Sequence, residues 1–338
     1  MTLAVKMPDL TATPSALDDL SAAMKADMNA VNALIIENMQ SSVPLIPQLA
    51  GYLIASGGKR IRPLMTLAAT RLFDTETTRP YRLAAAVEFI HTATLLHDDV
   101  VDESDQRRGK PSANTVFGNQ SSVLVGDFLF SRAFELMVED GSIDVLRILS
   151  NAAAVITEGE VLQLSIQSKL ETTLDQYLEV IAAKTAVLFA AACEIGPVIA
   201  GQPESIQKAL KDYGHHLGMV FQIADDLLDY QADEAQLGKT VGDDFREGKM
   251  TSPVIYALQN ATPDEKSFWK RTFEDHNQSE SDLETAKSII KSHKADEKAL
   301  ELAHSYVDAG IQSLSALPPT PLKATLESLI HFALYRPK

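Results

Sequence analysis

Apolar residues along this chain recur at the three- and four-residue spacing of amphipathic helices almost from end to end. Thr13-Pro14 reads as a helix start, with proline at the first helical position, and apolar positions follow at helical spacing to Met39. Residues 1–14 read as an N-terminal tail. Leu45 to Ser56 forms a second amphipathic stretch, stopped by Gly57-Gly58, and Pro63 opens a third that runs through Phe73. Residues 80–102 read as one long helix rich in alanine and leucine. Further helices are expected over 114–139, 143–167, 174–200 and 204–232. The last third (252–275, 281–314 and 320–335) is more charged and reads as helices with solvated faces. Strand-like alternation is scarce, hairpin turn signals are lacking, and no repeat period is visible. The expected fold class is all-α, in one domain over 1–338, with helices 80–102 and 204–232 apolar enough to be central.

Composition narrows the picture. Hydrophobic residues make up 45% of the 338 positions, enough for a large core, and no linker-like stretch divides them. No apolar run reaches the roughly 18–20 residues a spanning helix needs. The N-terminal segment lacks a basic region followed by a long apolar run, so no signal peptide is expected. The single cysteine, Cys193, lies in an apolar segment and reads as core filler, compatible with a reducing, cytoplasmic location. A net charge of −16 argues against broad nucleic-acid binding, which needs a basic face.

Two acidic patterns stand out on the apolar helices: Asp98-Asp99-Val100-Val101-Asp102 and Asp225-Asp226-Leu227-Leu228-Asp229. Each is DDxxD. On a helix, Asp98 and Asp102 share a face, as do Asp225 and Asp229, with Asp99 and Asp226 one step round. Carboxylates this close repel one another and raise each other's pKa, so they call for a partner with concentrated positive charge. If the two helices face each other, six carboxylates line one cavity mouth. The spacing does not match an EF-hand loop, whereas Mg²⁺ takes a few carboxylates and completes its shell with water and phosphates. A carboxylate rim therefore suggests Mg²⁺ bridging the protein to a diphosphate.

Basic clusters fit that reading against the acidic background. Lys59, Arg60 and Arg62 lie in a turn that leads into a helix, and Arg107-Arg108-Gly109-Lys110 follows the first carboxylates. Lys184-Thr185 interrupts an apolar helix, and Lys239 and Lys249 follow the second carboxylates. Arginine recognises phosphate oxygens in a plane, and lysine acts as a point charge. Such a site would hold two anionic groups, one through metals and one directly. Gln222 lies three residues before Asp225, and His91 seven before Asp98, each on the face of its carboxylate. His97, His215 and His216 read as structural.

The ordered set GGKRIRP (57–63), HTATLLHDDVVDESDQRRGKPS (91–112), AKTA (183–186), FQIADDLLDY (221–230) and LGKTVGDD (237–244) resembles the trans-isoprenyl diphosphate synthases. Within that family the resemblance is to the bacterial long-chain polyprenyl diphosphate synthases, which serve quinone side chains. It implies the isoprenoid synthase helical bundle around a deep central cavity, usually a homodimer. It implies that Asp98, Asp99, Asp102, Asp225, Asp226 and Asp229 hold Mg²⁺, three ions per active site with substrate bound. Arg107, Lys184, Thr185, Gln222, Lys239 and Lys249 would contact the allylic diphosphate. Lys59, Arg62, His91 and Arg108 would bind isopentenyl diphosphate. The implied reaction ionises the allylic diphosphate, after which the isopentenyl double bond attacks the cation and a proton is lost. Among these residues Asp98, Asp99, Asp102, Lys184, Asp225 and Asp226 would carry catalysis.

Product length should be set on the helix before the first motif. The residues four and five before Asp98 are Thr94 and Ala93, where a bulky aromatic closes the cavity in the resembling short-chain enzymes; Ile90 lies one turn deeper. Small side chains here admit several isoprene units, each about one helical turn long, so a C40 to C50 product is expected. Phe89, Phe128, Phe130 and Phe134 are candidates for a deeper floor. A product so apolar must reach a membrane, through peripheral contact at most, although no basic amphipathic helix stands out. Alternatives are a shorter-chain farnesyl or geranylgeranyl diphosphate synthase, a terpene cyclase, a non-catalytic subunit of a heteromeric synthase, and a cation-binding helical protein without substrate.

Overall fold

The computed structural model describes residues 15–55, 57–107, 109–231 and 242–335. Helices α1 (Ala16–Ala23), α2 (Lys25–Asn38), α3 (Leu45–Ala55) and α4 (Ile61–Arg71) lead into the long α5 (Arg79–Val101). A short α6 (Ala113–Phe117) precedes α7 (Asn119–Asp140) and α8 (Ile143–Ile166). Then come α9 (Leu174–Ile181), a π-helical turn (Ala182–Ala186), α10 (Val187–Ile199) and α11 (Glu204–Gln231). The C-terminal part holds α12 (Asp243–Arg246), α13 (Ser252–Leu258), α14 (Pro263–Trp269), α15 (Asp282–Ser292), α16 (Ala295–Ser313) and α17 (Pro321–Tyr335).

Local chemistry fixes the helix starts. Ser15 and Asp18 form a reciprocal capping box at α1. The first helix thus starts one residue after Ser15, while Thr13, Pro14 and the rest of the 1–14 tail lie outside the described residues. Thr173 and Gln176 form the same box at α9. The stretch expected as one helix over 174–200 is interrupted by the π turn, and 252–275 is divided among α13, α14 and a second π-helical turn (Lys270–Glu274). Two-residue strands, Gln106–Arg107 and Lys110–Pro111, pair antiparallel where the spacing predicts no strand.

Helices α4, α5, α10 and α11 make the centre. In α4, residues Pro63 through Thr70 are all buried. Helix α5 packs along α7, and α10 is held between α4, α8 and α11. Alanine makes close packing possible: Ala84, Ala85, Ala86 and Ala93 have no exposed surface. At Gly196 the α10 backbone meets α4 so tightly that a Cβ would stand 2.4 Å from the Ala69 carbonyl carbon. The C-terminal helices contribute to the core as well, since α16 packs along α11 and its Ala299, Ala303 and Val307 are fully buried. Among the described residues no helix is long and apolar enough to cross a membrane.

Candidate active site

Helices α5 and α11 end beside one cavity of about 720 Å³. The stripe Glu88, His91, Leu95 and Asp98 of α5, continued by Asp102 at its C-cap, lines it, with Thr94 alongside. Helix α11 contributes Phe221, Gln222, Asp225 and Asp226 to the same cavity. The cations gather on the same walls: Lys59 and Arg62 at the start of α4, Arg107 after α5, Lys184 in the π turn, and Lys249 after α12. The apolar part of the wall is Ile61, Leu95, Ile166, Val180, Ile181, Phe189, Phe221 and Met250. Arg108 and Lys239 lie outside the described residues.

Four of the six motif carboxylates face the cavity, and two turn aside. Asp99 is buried, and Arg107, brought back by the two-strand turn, clasps its Oδ1 through Nε at 2.7 Å and Nη2 at 2.6 Å. Asp229 accepts the backbone N–H of Gly242 at 3.3 Å and that of Asp244 at 3.0 Å. It thereby holds the start of α12, and it is absent from the cavity wall. Two other acids take their place. Glu160 on α8 and Asp244 on α12 both line the cavity. The neighbouring Phe245 anchors Asp244 by packing against Phe273 at 5.6 Å and Trp269 at 6.4 Å.

The π turn explains how consecutive Lys184 and Thr185 both reach the wall. One extra residue in the turn widens the helix locally, a device common at functional sites. Gly159 lets α8 press against this turn, where a Cβ would stand 2.6 Å from Ala183 Cβ. The next residue, Glu160, then meets Lys184 Nζ at 2.5 Å. Thr185 Oγ1 donates to Gln222 Oε1 at 2.9 Å, and Gln222 Nε2 donates to Asp226 Oδ1 at 2.8 Å. The phenol of Tyr177 donates to the other Asp226 oxygen at 2.6 Å. Asp226 is thus fixed by protein donors on both oxygens.

The acids are charged at a cost. Burial, reinforced by Glu160 and Asp102, raises Asp98 from its usual range to about 7, against the pull of Lys184 and Arg107. Burial raises Asp226 to about 7 as well, even with Tyr177 and Gln222 favouring its ionised form. Asp244 is pushed well above the usual carboxylate range by burial and by Asp226 and Asp229. Burial alone would lower Lys249, but Asp244, Asp102 and Glu247 hold it above its ordinary value. Its Nζ lies 3.4 Å from Asp102 Oδ2, so it ties the second half of the site to the first.

A second set of cations lies on the α4 side. Arg62 Nη1 is 3.1 Å from His91 Nε2, and its guanidinium lies 4.4 Å above the Phe189 ring. Lys59 is exposed beside them. Of the residues expected to set product length, Thr94 reaches the cavity wall, whereas Ala93 and Ile90 are buried in the packed core beside it. Phe89 is buried outside this wall, and Phe134 is 41% exposed. His97 has its Nε2 3.1 Å from the Val123 carbonyl oxygen, outside the cavity.

Helical spacing and motif reading do not single out Glu160, Tyr177, Phe189 or Asp244. Glu160 carries a weak signal as an acid after a glycine in an apolar helix. Asp244 carries one as part of the Gly-Asp-Asp that closes the last quoted motif.

An all-α bundle whose two central helices bring carboxylates together across a deep, cation-rimmed cavity is the isoprenoid synthase fold. Residues 43–290 match the polyprenyl synthetase family profile, and the chain belongs to that family. It is 45% identical over 320 residues to the octaprenyl diphosphate synthase of Escherichia coli K12, across 95% of this chain and 99% of that one. Among solved structures it resembles a decaprenyl diphosphate synthase from Rhodobacter capsulatus, with 51% identity, a TM-score of 0.91, and coverage of 95% of this chain and 99% of the other. It also resembles a polyprenyl synthase from Caulobacter crescentus CB15 solved with calcium and isoprenyl diphosphate. There the identity is 50% and the TM-score 0.93, over 96% of this chain and 99% of that one.

Proposed function

We propose that this chain is a long-chain all-trans polyprenyl diphosphate synthase. It adds isopentenyl diphosphate head to tail to an allylic diphosphate, and the C40 to C50 product serves a quinone side chain. The observation that carries this reading is the gathering of Asp98, Asp102, Asp225 and Asp226 on the wall of one cavity that also holds two cation sets and apolar side chains.

The donor set suits a hard divalent ion. Asp98, Asp102 and Asp225 face the cavity, and burial makes the ionised form of Asp98 costly without a cation. Mg²⁺ fits these acids, since it takes few protein carboxylates and shares its shell with substrate phosphates and water. When bound, the ions would neutralise the allylic diphosphate and assist its departure. Lys184, Arg107 and Lys249 hold negative charge on the same group, as preorganised electrostatic stabilisation. Thr185, Gln222 and Tyr177 keep Asp226 oriented. Lys59, Arg62 and His91 hold isopentenyl diphosphate on the α4 side. Leu95, Ile181, Phe189, Phe221 and Met250 exclude water from the reacting carbons. No phenylalanine, tyrosine or tryptophan of α5 lines this cavity, which supports a long product.

A homodimer acting in the cytosol completes the reading. Helices α7 and α8 expose Leu124, Val138 and Val161, each more than three-fifths accessible. Apolar surface of that kind is what a second copy would cover. Light scattering on the purified protein tests that assembly. The activity test is incubation with farnesyl diphosphate, isopentenyl diphosphate and Mg²⁺, followed by sizing of the product. A dominant C15 or C20 product would overturn the long-chain reading. Absence of diphosphate release would point to a non-catalytic subunit.

A further inference from the structure

The GGKRIRP segment carries three cations, of which Lys59 and Arg62 are assigned to isopentenyl diphosphate. The third, Arg60, reaches back into the bundle. Its Nη1 donates to Asn32 Oδ1 on α2, and its Nε stands 4.0 Å from Glu88 Oε1 on α5. It lines both the main cavity and a smaller one of about 60 Å³ behind it, so it stands in the wall between them. Its backbone is left-handed, with φ 46° and ψ 42°. A residue with a side chain holds that conformation only where its surroundings impose it, and such positions gather at functional sites. Gly57 and Gly58 before it also have positive φ, at 76° and 153°. Glycines contribute little stiffness of their own. The side-chain anchors of Arg60 tie the start of α4 to α2 and α5.

We propose that Arg60 is a positioning residue, whose bonds to Asn32 and Glu88 lock the turn that presents Lys59 and Arg62 to isopentenyl diphosphate. The anchors come from two different helices, so they fix the turn in two directions. Glu88 and His91 are three residues apart on α5 and both line the cavity, so Arg60 and Arg62 dock on one helix face. Arg62 is thereby set against His91 and Phe189. The inference rests on the reading that Lys59 and Arg62 hold isopentenyl diphosphate.

Steady-state kinetics with farnesyl diphosphate, isopentenyl diphosphate and Mg²⁺ test it on five proteins: wild type, Arg60→Gly, Arg60→Lys, the double variant Asn32→Ala/Glu88→Gln, and Lys59→Ala. Glycine accepts the left-handed backbone, so Arg60→Gly removes the anchors without forcing the turn to refold. The KM for isopentenyl diphosphate should rise about tenfold in Arg60→Gly and in the double variant, with kcat and the KM for farnesyl diphosphate within about twofold of wild type. Arg60→Lys should recover part of the loss. An unchanged isopentenyl KM in Arg60→Gly, beside a raised one in Lys59→Ala, overturns the positioning role alone. A raised KM in Arg60→Gly with a wild-type double variant also overturns it, because Arg60 would then touch the diphosphate directly. An unchanged KM in Lys59→Ala overturns the parent reading, and the inference falls with it.

Discussion

Replacing Tyr177 with phenylalanine removes one oxygen from the second acidic cluster and leaves the packing of α9 intact. The phenol donates to Asp226 Oδ2 at 2.6 Å, and burial holds its own pKa well above the usual range, so it remains a donor throughout. Even with this donor in place, burial has already lifted Asp226 to about 7. A hydrogen bond to an ionised group is worth about 1.5–3 kcal/mol. At about 1.4 kcal/mol per pH unit, its loss raises the carboxyl by roughly one to two further units. A raised pKa means that the proton is held to higher pH. The acid limb of kcat/KM for the allylic diphosphate, measured at fixed, sub-saturating Mg²⁺, should therefore move upward by about one to two pH units in Tyr177→Phe. The high-pH plateau should stay within a few-fold of wild type. A limb that stays in place while the rate drops equally at every pH would refute the reasoning, since Tyr177 would then act through packing alone.

Three other outcomes follow from the same structure. Asp98 and Asp226 have folded pKa values of about 7, above the ordinary 3.8, so the folded state binds more protons than the unfolded chain between those values. Their contribution to the stability of the metal-free protein should be lost as pH rises across that window to 7, lowering the melting temperature by several degrees; scanning fluorimetry should show Mg²⁺ with inorganic diphosphate restoring the loss. Gly196→Ala would drive a Cβ to 2.6 Å from the Thr70 backbone nitrogen, which cannot give way. It should destabilise by about 1–3 kcal/mol in urea titration. Thr94→Phe puts a ring on the cavity wall and should shorten the product by several isoprene units, whereas Ala93→Tyr, in packed core, should chiefly lower stability; an unchanged product from Thr94→Phe places the floor elsewhere.

What the sequence reveals and what it hides divide along a physical line. The helices carrying the acidic motifs are legible because long apolar runs at helical spacing can bury themselves only as central helices. The face of each carboxylate is legible for the same reason. Its partner is not, because a neighbour in space leaves no trace in helical spacing. Asp99 and Asp102 belong to one motif, yet a two-residue strand pair too short to show alternation brings Arg107 onto Asp99. Asp229 shares a face with Asp225, yet its oxygens accept the N–H groups of Gly242 and Asp244. The π turn is hidden as well, since one inserted residue leaves apolar spacing almost unchanged while it reorients Lys184 and Thr185.

The positions on α5 expected to set product length show the same limit in finer form. Glu88, His91, Leu95, Asp98 and Asp102 follow the three- and four-residue rhythm that forms the wall. Counting back four and five from Asp98 lands on Thr94 and Ala93, which are about 100° apart on the helix, so only one of them can face the cavity squarely. The structure chooses Thr94. The acids divide by the same rule of position. Arg107 clasps Asp99, and the N–H groups of Gly242 and Asp244 hold Asp229, while Asp98, Asp102, Asp225 and Asp226 stand on the cavity wall. Under the proposed function, those four acids are the ones placed to meet a cation brought in by the substrate. Their neighbours in the same motifs build the frame that keeps them there.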